Sequence, residues 1–251
     1  MAVDPPVLYN GFWTYTRAMG SPYGSTHLNP SDKQIANAYK IRTALQQQGY
    51  CEKAIAGVLG CAQVESGITS GAIQKWSVLP NQGERLSDVP NSYMLQYYTP
   101  SGGGQGYGLG LLQWDRYSSV YQTNDLLGWT NANGFVWYDY AGQMARLEFE
   151  FNNDSLYHFW HLNYGGSLTW AAYKDLENTF PTYGADDAAD VWTSCWELSS
   201  LDPTGRQYRK DNGAFWYQYF IDHPAPPVPI WLLMSYNKNR KEVLKNVRKY
   251  I

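Results

Sequence analysis

The chain has 251 residues, a net charge of −3, and 16% charged against 44% hydrophobic residues. This excludes a disordered chain and gives no reason to expect a nucleic-acid partner. Its 11 Trp and 22 Tyr suit surfaces that meet sugars or other proteins as well as a core. Its three cysteines, at 51, 61 and 195, have no paired spacing, so no disulfide framework or zinc site is expected.

Residues 1–31 are rich in Pro, Gly, Ser and Tyr without a period and predict an irregular N-terminal arm. The opening "MAVDPPVLYNGFW" has no basic flank before an apolar run, so a secretion signal is not expected, and no stretch reaches transmembrane length. A helix should start behind Ser31 as N-cap and close at Gly49. A second starts near Glu52, with Ala54, Ile55, Val58, Leu59 and Ala62 at helical spacing. Residues 68–107 carry Gly, Pro, Ser and Asn and predict a long loop or short-strand region, a length that is usually functional. "GLGLLQWDRYSSVYQ" (108–122) reads as a turn running into a helix. Further helices are expected over 139–153, with Ala141, Met144, Ala145 and Phe149 inward, and over 168–180, 185–198 and 205–220. "HPAPPVP" (223–229) is a stiff linker, and a basic amphipathic segment follows. The last 16 residues hold six Lys/Arg against one Glu. The expected organisation is an arm (1–31), one mainly helical α+β domain (32–222), and a linker with a docking segment (223–251).

Glu65 stands out in this pattern. It follows Ala62, Cys61 and Val58 by three, four and seven residues and so shares their core-facing side. Ser66-Gly67 ends the helix there, which puts the carboxylate in a last turn where the macrodipole opposes it by about 0.3–1 kcal/mol. Burial and dipole both favour the protonated acid, the form that can protonate a glycosidic oxygen. The alternative is a Glu65 that turns to solvent or pairs with a lysine.

"VESGITSGAIQ" (64–74), followed some forty residues later by "GYGLGLLQW" (106–114), resembles the lysozyme-like muralytic enzymes, lytic transglycosylases and goose-type lysozymes among them. It is similar in particular to the phage tail lysozyme family, in the helix before Glu-Ser-Gly, the Gly-Leu-x-Leu-Gln-Trp turn with Arg116 just after it, and a late Arg-containing helix within "CWELSSLDPTGRQYRKDNGAFWY" (195–217). The likeness covers residues 32 to about 220. It implies a lysozyme-like fold with a long loop or short-strand region after the catalytic helix. It also implies cleavage of the MurNAc–GlcNAc β-1,4 bond of peptidoglycan, with Glu65 as general acid, on a tail that opens the host wall for genome delivery. Gln113 would line the substrate cleft. Tyr107 and Tyr117 would stack on sugar rings, and Trp114 would either join them or lie in the core. Other tail proteins would dock through 1–31 and 223–251. The resemblance implies no metal or organic cofactor. A hydrolase wants a second carboxylate, for which Glu84, Asp88 and Asp115 are the candidates. A transglycosylase manages with one acid, and "NYGG" (163–166) faintly resembles its supporting tyrosine motif.

Two other readings compete. Cys61 with His158 or His161 would make a peptidase dyad, although a thiol in so apolar a run is more often inert core. Alternatively the chain is a structural tail component that keeps the fold and binds glycan or partner proteins without cutting.

Overall fold

Helix α2 (Glu52–Ser66) is the element around which the others are built. It is buried from Ala54 through Val64, and a helix apolar on every side must be enclosed on every side. The computed structural model describes residues 7–9, 12–14, 29–72, 91, 108–114, 126–152, 168–196 and 203–224. Within them run strands β1 (Val7–Tyr9) and β2 (Phe12–Thr14) and helix α1 (Asp32–Gln47) ahead of α2. After it come α3 (Leu126–Ala132), α4 (Tyr140–Asn152), α5 (Trp170–Lys174), α6 (Leu176–Thr179), α7 (Ala185–Cys195) and α8 (Pro203–Asp222). The fold is mainly helical and lysozyme-like, as its motifs imply.

The small residues of α2 let α7 and α8 come to backbone contact. A Cβ on Gly57 would stand 2.7 Å from the carbonyl carbon of Ala188 in α7. One on Gly60 would stand 2.6 Å from both Arg209 O and Gly213 N in α8. Around this three-helix contact gathers a ring-rich core in which Trp137, Trp192, Trp216 and Tyr173 are fully buried. Tyr173 joins two of the helices directly, its hydroxyl donating to Ala54 O of α2 or to Ala188 O of α7 at 3.1 and 3.2 Å. Arg206 of α8 ties itself to α7 through Asp190 Oδ2 at 3.0 Å and Ser194 Oγ at 2.7 Å.

Ser31 caps α1 by a full capping box with Gln34, and Gly49 follows the helix in the left-handed region at φ +86°. The arm contains more order than its composition predicts. β1 and β2 pair antiparallel with Tyr9 opposite Phe12, leaving Asn10-Gly11 between them, the dipeptide that two-residue hairpins most favour. The predicted helix over 168–180 is broken at Asp175 (φ −103°, ψ 39°), which separates α5 from α6. In α4 the inward face differs from expectation. Met144 is buried, but Ala141 is exposed and Ala145 and Phe149 are half-buried, while Gln143, Arg146 and Glu150 are buried. A period count that admits only apolar residues misses a face that also carries buried polar groups. Most of the 68–107 loop region, the helix expected after 114, and the linker and tail beyond 224 lie outside the described residues. No helix among the described residues is long and apolar enough to cross a membrane.

Candidate active site

Glu65 occupies the last turn of α2, which ends on Gly67 in the left-handed conformation (φ 63°). The chain then stays left-handed at Ile68 (φ 60°), a conformation a β-branched side chain adopts only under strain. The surroundings hold it there. Asn37 Nδ2 donates to Ile68 O at 2.8 Å, and Gln34 Nε2 to Gly67 O at 3.3 Å. Ser66 Oγ folds back on Ala62 O at 2.9 Å and accepts from Thr69 N at 3.3 Å.

The second part of the candidate site is the turn Gly108–Trp114, closed by a bridge between Leu109 and Trp114. It is stitched to the chain leaving Glu65: Gly110 N donates to Ala72 O at 2.8 Å. Gln113 is itself left-handed (φ 51°), and its Nε2 braces the turn through Gly110 O at 2.8 Å and Ala72 O at 3.4 Å. With Nε2 so engaged, the remaining polar atom of the side chain is Oε1, an acceptor. Among the described residues, Ile68 and Gln113 are the two non-glycine residues with positive φ. Strained backbone of this kind, at about 1–3 kcal/mol a residue, gathers at functional sites. Trp114 is buried, its indole Nε1 donating to Glu150 Oε1 at 2.8 Å and its ring set edge-on to Trp196 at 5.8 Å. Of the two positions the sequence left open for this ring, the structure gives the core.

Sequence reasoning did not find Arg209. Its backbone carbonyl lies against Gly60, and five residues of α2, about 7.5 Å of rise, separate Gly60 from Glu65. The arginine side chain spans that gap, and its Nη2 donates to Glu65 Oε1 while Nη1 holds Gly205 O at 3.1 Å. Arg209 is almost wholly buried, whereas Glu65 keeps 24% of its side-chain surface open. Burial pushes the Glu65 carboxyl above the usual range and outweighs the Arg209 charge and hydrogen bond, which pull it down. The pair thus holds a carboxyl raised by burial, on a side chain that is about a quarter exposed. The only forewarning in the sequence was the arginine-bearing last helix, which says nothing of which side chain it meets.

Tyr107, Tyr117, Arg116, Glu84, Asp88 and Asp115 lie outside the described residues, as do His158, His161 and "NYGG". Cys61 is fully buried, its Sγ 3.3 Å from Thr193 Oγ1 and 3.5 Å from Ala189 O, a core environment. Among the described residues no group of His, Cys, Asp or Glu could hold a metal ion.

The described fold is mainly helical, with Glu65 in the last turn of α2 and the Gln113 turn bonded to the chain that follows it. The family model described as phage tail lysozyme matches residues 36–220, and the chain belongs to that family. Membership of that family suggests a peptidoglycan-hydrolase role. Comparison with curated proteins finds no match.

Proposed function

We propose that the protein cleaves the MurNAc–GlcNAc β-1,4 bond with Glu65 as general acid. The observation that carries this reading is the half-open Glu65 carboxyl, raised by burial, at the end of a helix whose continuation is stitched to the Gln113 turn. Glu65 gives its proton to the glycosidic oxygen as the C1–O bond breaks, and the leaving sugar departs with a free 4-hydroxyl. C1 is then taken either by water, leaving a reducing end, or by the sugar's own 6-hydroxyl, leaving a 1,6-anhydro end. Gln113 Oε1 is suited to accept from the amide of an N-acetyl group, and Tyr107 and Tyr117 would border the same cleft. Glu84, Asp88 and Asp115 remain the proposed second carboxylates of a hydrolase. The reading extends to a tail-borne lysin acting on the host wall, whose arm (1–31) and C-terminal segment (223–251) dock to other tail proteins.

Mass spectrometry of the products from purified peptidoglycan tests the chemistry, because the two product ends differ by one water. The ion pair with Arg209 favours a second reading, a tail component that binds glycan without cutting, since a carboxylate held by a buried guanidinium is less ready to give a proton. Intact glycan strands after incubation with wild-type protein, at a concentration where binding is seen, would select that reading and reject catalysis.

A further inference from the structure

Gln143 is fully buried in α4, 29 residues or more from either motif in sequence, yet it bonds both to the chain that follows Glu65 and to the Gln113 turn. Its Nε2 donates to Ser70 O at 2.6 Å, five residues beyond Glu65, and to Trp137 O at 2.9 Å. Its Oε1 accepts from Leu111 N at 2.8 Å, two residues before Gln113. The amide lies flat on Gly110, where a Cβ would come within 2.6 Å of Nε2 and where φ is +80°. Two donors and an acceptor in one planar group are what this junction needs; a carboxylate cannot donate and an ammonium cannot accept. Two turns further along the same helix, Glu150 receives Trp114 Nε1. The turn is therefore held from α4 on both sides of Gln113.

We infer that Gln143 is a positioning residue for the cleavage reaction, fixing the distance between the chain that leaves Glu65 and the turn that presents Gln113. The inference rests on the proposed function. It predicts that Gln143 acts through Gln113 and not merely through stability, which a double-mutant cycle separates. Gln143→Met keeps side-chain length and removes all three hydrogen bonds. Gln143→Glu keeps the acceptor for Leu111 N and removes the donors.

The assay is kcat and KM on a defined GlcNAc–MurNAc oligosaccharide, at a temperature where circular dichroism shows every variant folded. Gln143→Met should lower kcat/KM by about 5- to 12-fold, Gln143→Glu should fall between it and wild type, and in a Gln113→Ala background the Met change should cost less than about threefold. Losses that multiply in full in that background, or an unchanged kcat/KM in folded Gln143→Met, would overturn the inference. Should Gln143→Met not fold, Gln143→Glu carries the same cycle; failure of both to fold would assign the amide to the core and also overturn it. A wild type that leaves the oligosaccharide uncut, or a Glu65→Gln variant that cuts it normally, refutes the proposed function instead.

Discussion

Replacing Glu65 by Gln separates what the carboxyl does chemically from what it does to the fold. The amide keeps the size and still offers an oxygen to Arg209 Nη2, but it has no acidic proton. Loss of a general acid is worth about 10²–10⁴ in rate, which is about 3–5 kcal/mol of transition-state stabilisation. The effect on stability follows from the direction of the carboxyl shift. Because folding raises the Glu65 carboxyl, the folded protein binds its proton more tightly than the unfolded chain does. The associated stability is fully present below the unfolded value and is lost as pH rises through the folded one. A glutamine, neutral at every pH, does not suffer that loss. Thermal melts of wild type and Glu65→Gln should therefore nearly coincide under acidic conditions and diverge in the variant's favour as pH rises, while muropeptide release collapses. A variant that still releases muropeptides at near wild-type rate would remove Glu65 as the general acid. One that loses ground to wild type as pH rises would reverse the direction of the carboxyl shift. Arg209 would then dominate over burial, and the carboxyl would sit too low to hold a proton.

Gly60→Ala should lower stability by about 1–3 kcal/mol, because its methyl group meets the α8 backbone and no flexible side chain can yield; a denaturant melt reads this, and cleavage should fall with it as Arg209 shifts. Gln113→Ala should reduce kcat/KM on a defined oligosaccharide by about 2- to 12-fold, the value of one hydrogen bond to a neutral group, and an unchanged kcat/KM would remove the residue from the cleft. Trp114→Phe leaves Glu150 one donor short inside the core and should cost about 1–3 kcal/mol in a thermal or urea melt. A chain ending at Pro224 keeps His223, whose carbonyl accepts from Tyr39 and whose ring stacks on Tyr219 at 4.3 Å. It should fold and cut as full-length protein does yet fail to join an assembled particle, and insolubility on truncation would show the tail to be part of the core.

Periodicity found what periodicity can carry. The apolar run of α2, the cap at Ser31 and the stop at Gly67 all rest on local preferences, and their positions could be read from neighbouring residues alone. The Asn-Gly pair between β1 and β2 is an equally local signal, masked by a surrounding composition rich in Pro, Gly, Ser and Tyr. Arg209 and Gln143 belong to another category. Each is a polar residue whose meaning lies in a partner far along the chain, and on a helical wheel each looks like a flaw in an apolar face. Ala141 misleads for the converse reason: it is apolar and in step, yet it is exposed while Gln143, Arg146 and Glu150 are buried.

The pairing of Glu65 with Arg209 spans 144 residues, and the helix that carries Glu65 is packed mainly by α7 and α8, the last two helices among the described residues. Synthesis runs in the other direction. While a ribosome is still adding the residues between them, α2 has left the exit tunnel with an apolar surface on every side and without the partners that bury it. Contacts of such long sequence separation form late and slowly, and exposed apolar surface in the interval invites aggregation or chaperone capture. The nascent chain thus carries its acid early and the cation that steadies it late, so the site is completed only as the domain itself is.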